Sequence, residues 1–477
     1  MYDVIIIGAG VTGAFIARKL ARYELDVLVI EKENDVGNVT SNANSAIIHS
    51  GYDPVPGTLK ALLNVKGNAM YDDIAKELDV HFYRIGSITV AKNEEQLETL
   101  KELLKRSEIN GVEARLLSKE EVHALEPNLD SEVIGGLLAP TAGIIDPFNL
   151  VIHAMENAVD NGVKLHLDEM VTDIIYEDNY FIVTTNKDQY CSKVVINASG
   201  LGSEKIARMI ENVDWSLTPR KGEYFVLDHY ALGLVNHTIF PLPSAKGKGV
   251  LVSPTSSNNY IVGPSSEPIN DPDDVSTDTY TLSEIRRQAV DMVPNIPFNQ
   301  VIRAFSGVRP TSTRHDFIIE PAKNNKYFIN VAGIESPGLV SAPAVAEYVF
   351  EKYISHLFDL HEKSDFNPCV RKYIRLNELN NEERNNLIKD NPDYGTLICS
   401  CEKVSLGEIK DLFNRSVPPM TVKAVKKRVR AGFGKCQGGF CSPKVTLILA
   451  KHYHISPLEV KWDKDGSEIL LEEVKKC

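Results

Sequence analysis

The feature that most restricts this chain comes at its start, where an apolar run, YDVIII, is followed by GAGVTG and then by a stretch with helical spacing, GAFIARKLARY. Three glycines alone are a weak signal, because many tight turns use them. Here the order is strand (Tyr2 to Ile7), glycine turn, helix (Gly13 to Tyr23) and strand (Val27 to Ile30), and Glu31 ends the second strand 18 positions after Gly13. That is the context in which a βαβ unit binds the pyrophosphate of a dinucleotide. Gly8 makes the tight turn, Gly10 lets backbone approach the pyrophosphate, and Gly13 lets the helix lie against the strand. The helix N-terminus faces the negative charge, and Glu31 is placed for the ribose hydroxyls. A chain that opens this way is predicted to be an α/β protein with a doubly wound, Rossmann-like sheet.

Two later segments repeat the pattern. Residues 162–200 read as short β-strands, the last ending in a small-residue turn from Ala198 to Gly202, and YFINVAG at 327–333 runs into GIESPGLVSAP. Strands this far apart that all end in small-residue turns predict one cofactor domain over 1–355 whose sheet is revisited after excursions at 80–140 and 216–300. Those excursions would build an inserted α+β substrate domain. The late turn gives backbone a second close approach to a ligand. With the glycine motif at the very start of the chain, this favours FAD over NAD. A helix starting near Pro343 would aim its positive end at the flavin pyrimidine ring.

Composition narrows the partners. With 65 acidic against 52 basic residues the net charge is -13, which argues against nucleic acid, because phosphates need an excess of Lys and Arg. No stretch of membrane-spanning length lacks charged residues, and Asp3 stands where a leader would be basic, so a cytoplasmic protein without direct membrane insertion is expected. Residues 356–394 turn polar and Asn-rich and read as a largely helical linker anchored by Leu376, Leu379 and Leu387. A small separate module follows at 395–450, with 451–477 as a tail.

Four of the seven cysteines fall in that module as two tight pairs, Cys399-Ser-Cys401 and, 34 residues on, Cys436-Gln-Gly-Gly-Phe-Cys441. Such thiolates can enclose tetrahedral zinc or an iron–sulfur cluster. The CxC spacing is cramped for a zinc knuckle and favours the cluster. The basic run KAVKKRVRAGFGK at 423–435 would offset the charge of a thiolate-ligated cluster and favour its reduction. Cys191, Cys369 and Cys477 read as plain buried or terminal thiols.

Two segments carry candidate substrate chemistry. TSNANSAIIHSG at 40–51 can wrap a flavin ring with small polar residues, and it contains His49, a side chain able to take a proton near neutral pH. FSGVRPTSTRHD at 305–316 offers Arg309 and Arg314, either of which can clamp a carboxylate or phosphate through its planar fork.

Taken together, GAGVTG, IIHSG, IDPFNL at 145–150, KGEYFVLDH at 221–229, FSGVRP and VRAGFGKCQGGFC resemble the flavin-bearing large subunits of anaerobic bacterial glycerol-3-phosphate dehydrogenases, within the D-amino-acid-oxidase-like flavoproteins. The resemblance runs almost from end to end. Its last segment is similar to the bacterioferritin-associated-ferredoxin-type helical module, which implies a 2Fe-2S cluster on Cys399, Cys401, Cys436 and Cys441. The resemblance implies a catalytic set of His49, Arg309 and Tyr224. It implies FAD contacts from Gly8, Gly10, Gly13, Glu31 and Lys32, and from Ser41, Asn44, Ser45 and Ala46. Further contacts are implied for Val171, Ala198 and Gly200, and for Gly333, Gly338 and Leu339. The implied reaction is oxidation of sn-glycerol 3-phosphate, a small anionic substrate, to dihydroxyacetone phosphate, with electrons leaving through FAD and cluster. Electron-accepting partner subunits are implied, through which the protein would reach the membrane, and an oligomer is expected. PGTLKA at 56–61 looks instead like L-2-hydroxyglutarate dehydrogenases, which keeps a 2-hydroxyacid or amino acid as the alternative substrate. An electron-transfer subunit with no substrate of its own is the alternative of another class.

Overall fold

The computed structural model describes residues 1–243 and 249–472. Strand Tyr2–Ile7 lies between Val27–Ile30 and Gln189–Asn197 and runs parallel to both, with Ile5 opposite Leu28 on one side and Val195 on the other. Asn325–Ala332 adds a further parallel strand, Ile329 opposite Ile196, and Lys164–His166 lies beyond Val27–Ile30. The apolar runs Val4–Ile7 and Val27–Ile30 are buried on both faces, as a parallel sheet covered on both sides requires. Side chains of helices Val11–Leu20, Pro147–Asp160 and Gly338–Lys352 cover one face. Val171, Ile174, Phe181, Val183 and Ile206 cover the other.

The first helix is shorter than the spacing predicts, Val11–Leu20, and starts two residues before Gly13. Gly10 has no side chain to cap it, so Ser41 supplies the oxygen and accepts from the Val11 N–H at 3.0 Å. At the other end Tyr23 leaves the helix and stacks its ring on Phe350 at 4.7 Å. The helix predicted near Pro343 begins earlier, at Gly338, with Pro343 inside it. Proline lacks the N–H that would bond Leu339 O, and the Tyr71 hydroxyl donates to that carbonyl instead, at 2.5 Å.

Both excursions join a second, largely antiparallel sheet, which includes Ser87–Ala91 and Gly135–Ala139 from the first and Leu217–Leu227 from the second. The second excursion runs past residue 300, because Val301–Ser312 pairs along its length with Leu217–Leu227, Phe305 opposite Tyr224 and Arg309 opposite Arg220. Side chains alternate across this sheet. Phe225 packs on the outer core with Ile285 and Met292 of helix Thr279–Met292, while Tyr224, Phe240, Leu251 and Ile261 pack with Ile47 on the inner face.

Residues 356–394 contain one α-helix, Asn381–Asp390; most of the rest is irregular and is hydrogen-bonded along the flavin-side domain. Val370 N–H donates to Glu77 O at 3.0 Å, and Tyr373 N–H to Asp79 at 3.0 Å. RLNELNN offers no continuous apolar stripe for a helix, so the buried anchors are Val370 and Tyr373, and the three leucines are only half-buried. The module beyond is not separate. Arg415 donates to Glu156 through two nitrogens at 2.7–3.0 Å, and helix Val422–Val429 sends Lys427 and Arg428 into the loop after Glu31. Of the remaining thiols, Cys191 is half-buried, Cys369 is exposed rather than buried, and Cys477 lies outside the described residues. Among the described residues no helix is long and apolar enough to cross a membrane.

Candidate active site

The parallel strands end together at a cleft of about 1480 Å³, roofed by the inner face of the second sheet. This is where the carboxyl ends of an open α/β sheet place a ligand. Gly8 turns at φ +105°, and a Cβ there would stand 2.6 Å from Ala198 O, so only glycine lets these two strand ends meet. Gly13 lies behind the cleft wall against Gly8 O, and Gly333 turns behind it beside Ser312. Neither lines the cleft; near Gly333 the lining comes from Val331, Ile334 and Glu335. Gly10, Glu31, Lys32, Val171, Ala198 and Gly200 do line it, as do Gly338 and Leu339 at the start of their helix.

Glu31 is buried, and its two oxygens accept from Ala9 N–H at 2.7 Å and Glu33 N–H at 2.9 Å. Burial pushes its carboxyl up, and the two N–H groups only partly offset that. Each oxygen keeps a lone pair for a hydroxyl of a bound ribose. Lys32 extends half-exposed and lies 3.7 Å from Glu33.

Segment 40–46 forms one side of the cleft and is pinned by the second sheet. Thr40 donates to Val308 O at 2.7 Å, and a Cβ on Gly307 would stand 2.0 Å from Ala43 O, which explains the glycine in FSGVRP. Asn44 accepts from Ala46 N–H and donates to Ser41 O, holding Ala46 in the left-handed region at φ +56°. Ser41, Asn44, Ser45 and Ala46 all line the cleft. His49 follows strand Ile47–Ile48; its carbonyl accepts from Asn64 at 2.7 Å and Asn68 at 3.0 Å, and its ring lies 5.9 Å from that of Phe240. Tyr224 stacks on Phe305 at 4.7 Å. Burial raises its hydroxyl, against weaker opposing effects of Arg309 and of a hydrogen bond with Ser45, so it stays neutral.

His49, Tyr224 and Arg309 therefore share one cleft. Arg314 does not: it pairs at the surface with Asp214 at 2.5 Å and Glu320 at 2.9 Å. Sequence reasoning missed Arg220. Directly opposite Arg309 on the neighbouring strand, it presents its side chain on the same face, and both line the cleft. Arg309 donates to Ser265 O at 3.2 Å and Arg220 to Ser266 Oγ at 3.1 Å. Only the strand register brings the two together, and the sequence does not disclose it.

In the C-terminal module Cys399 and Cys441 are buried and hydrogen-bonded to each other, while the sulfurs of Cys401 and Cys436 stand 3.7 Å apart nearer the surface. The bond from Cys441 pulls the Cys399 thiol down to about 6. Two close cysteine pairs, one thiol of which is predisposed to ionise, supply the donor chemistry that a thiolate-ligated cluster uses. Lys426 stands in the field of Cys441 and 4.5 Å from the ring of Phe433.

A glycine turn at the ends of a parallel sheet, a buried carboxylate beyond it and a second sheet roofing the cleft define a flavin-dependent oxidoreductase. Residues 3–352 match the family described as FAD dependent oxidoreductase, and the chain belongs to that family. Residues 397–451 match the BFD-like [2Fe-2S] binding domain, so the cofactors are FAD and a 2Fe-2S cluster. Glycerol 3-phosphate dehydrogenase of Caloramator mitchellensis is 46% identical over 471 residues, 98% of each chain. Glycerol 3-phosphate oxidase of Mycoplasma pneumoniae is 34% identical over 355 residues, 72% of this chain and 92% of that one. The solved structure of dithionite-reduced L-alpha-glycerophosphate oxidase from Mycoplasma pneumoniae with FAD bound has a TM-score of 0.74 at 31% identity, covering 77% of this chain and 98% of that one.

Proposed function

We propose that the protein oxidises sn-glycerol 3-phosphate to dihydroxyacetone phosphate and passes the electrons through FAD and the 2Fe-2S cluster to a partner protein. The observation that carries the substrate is the Arg220–Arg309 pair. Like charges directly opposite on adjacent strands repel, and a bound dianion such as a phosphate monoester removes that repulsion. Identity of 46% along nearly the whole of a glycerol 3-phosphate dehydrogenase supports the same reading. FAD, when bound, supplies the hydride acceptor.

The chain's own part is to bind, orient and move a proton. Arg309 and Arg220 hold the anionic end, and Asn64 and Asn68 fix the backbone under His49 so that its ring can take the hydroxyl proton. Tyr224, neutral and packed on Phe305, keeps water from the inner face of the cleft and offers a hydroxyl as a hydrogen-bond donor. The test is anaerobic bleaching of the flavin in the purified holoenzyme. Glycerol 3-phosphate is expected to bleach it at micromolar to millimolar concentration, roughly the range of ordinary Michaelis constants. Bleaching by L-2-hydroxyglutarate or an amino acid in its place would assign a carboxylate substrate, and no bleaching by any of them would leave an electron-transfer subunit.

A further inference from the structure

One surface of the protein has chemistry that alcohol oxidation does not use. Between Asp411 and Glu459 the chain carries no acidic residue, in a protein of net charge -13. Several cations of this stretch are paired inward: Arg415 with Glu156, Lys427 and Arg428 with Asp35, and Lys423 with Asp463. Lys444 and Lys451 are exposed, and so is Lys403 beside the first cysteine pair. Helix Ser442–Tyr453 sets Lys444, Leu447 and Lys451 on one stripe by spacings of three and four, while Val445, Leu449 and Ala450 turn inward. Leu447 is 58% exposed, and Phe440, just before the helix, is 81% exposed. Large apolar side chains presented among lysines match the core of a protein interface better than a solvated face. Cys401, exposed and 3.7 Å from Cys436, belongs to the same module, so the outer cysteine pair opens toward solvent.

We propose that this face is the docking surface for the electron acceptor, and that the acceptor is a one-electron carrier protein whose acidic face seats on Phe440 and Leu447. The proposal rests on the reading that electrons leave through the cluster. Oxidising one secondary alcohol to a ketone releases two electrons and two protons; two carrier molecules take one electron each, and the protons pass to solvent. An acidic carrier is repelled by the protein as a whole and attracted by this face, so the local lysines help set where it lands. An anionic lipid surface would feel the same lysines, but it offers no redox centre to the outer cysteines.

The experiment uses the full-length holoenzyme with glycerol 3-phosphate and two haem acceptors of opposite charge, acidic cytochrome b5 and basic cytochrome c. A small dye that takes electrons directly from the flavin serves as control. The double reversal K444E/K451E is expected to slow cytochrome b5 reduction about tenfold at low salt, flatten its salt dependence and speed cytochrome c reduction. L447S, which leaves the charge in place, is expected to slow cytochrome b5 several-fold with the salt dependence kept. Dye reduction and the paramagnetic signal of the reduced cluster are expected to be unchanged in both variants. An unchanged cytochrome b5 rate in both variants overturns the docking surface. Binding of phosphatidylserine vesicles that K444E/K451E abolishes, with cytochrome b5 reduction untouched, also overturns it and assigns the face to a membrane. Wild-type protein that reduces the dye but neither cytochrome overturns the electron-exit reading itself.

Discussion

Glu31 and Asp35 lie on one loop, both buried, and they are held in opposite ways. Glu31 faces the flavin cleft and is met by two neutral backbone N–H groups, so burial raises its carboxyl. Asp35 faces the cluster module. Burial alone would raise it too, but the fork of Arg428, with both nitrogens at 2.9 Å, and Lys427 at 2.7 Å outweigh burial and hold it well below the usual carboxylate range. The first arrangement leaves lone pairs for a ligand. The second uses the carboxylate up in fixing one element against another. Just beyond Asp35, Gly37, Asn38, Val39 and Thr40 line the cleft, while Val36 O and Asn38 accept from Lys427. The segment that lines the cleft is thus also the seat of the cysteine-bearing module.

The largest effect is expected on the module side. Arg428→Met leaves Asp35 buried against Lys427 alone and also removes the donor to Val417 O. Breaking a buried pair in this way costs about 3–5 kcal/mol. Denaturant unfolding of the holoenzyme is expected to show that loss, with FAD released at lower denaturant than in wild type. If stability fell while FAD binding held, the two regions would be mechanically independent. On the cleft side Glu31→Gln replaces one acceptor by an amide that faces an N–H, and an unsatisfied buried group costs about 1–3 kcal/mol. FAD titration of the apoprotein is expected to show binding weaker by that amount, with the cluster spectrum unaltered.

A third test separates the carboxylates by pH. Asp35 is depressed in the folded protein, so its stabilisation is fully present above the unfolded value of about 3.9 and is lost as pH falls below it. Glu31 is raised, so its ionised form costs stability above its folded value, and that cost disappears as pH falls through it. The stability difference between wild type and Asp35→Asn is therefore expected to stay flat from pH 7 to about 5 and to narrow below about 4. Over the same range the apoprotein of Glu31→Gln gains relative to wild type as pH rises. Parallel profiles would mean that the two sites share one environment.

The same pair shows what the sequence discloses and what it does not. Glu31 is legible because everything that gives it meaning lies within thirty residues of it: strand, glycine turn, helix and strand. Asp35 is not, because its partners come 392 and 393 positions later, and nothing local marks them as anything but a basic helix face. KAVKKRVR reads as a charge reservoir for the cluster, yet Lys427 and Arg428 point into the flavin-side domain while Lys426 stands in the field of Cys441. Arg220 was hidden for the same reason, since it meets Arg309 through strand register. The linker misleads in the other direction, because polar, helix-tolerant composition says nothing of the edge along which residues such as Val370 and Tyr373 are laid. Local chemistry was readable, and the contacts between the two cofactor regions were not.

The smallest expected effect falls on Lys427, and it decides whether charge or geometry holds the module. Burial lowers the Lys427 ammonium, so keeping it charged already costs part of what its contact with Asp35 contributes. In Lys427→Met the apolar stem of the side chain is kept without its ammonium, and Asp35 keeps the two-pronged fork of Arg428. What is lost is the contact with Asp35 and the donor to Val36 O and Asn38, a deficit of about 1 kcal/mol per bond against removal of a buried cation. The net change in unfolding free energy is therefore expected to be about 1 kcal/mol or less. FAD affinity is expected to shift slightly, because Asn38 lines the cleft. A loss as large as that of Arg428→Met would show that Asp35 responds to total positive charge, and that the bidentate fit of Arg428 is not what locks the module onto the cofactor loop.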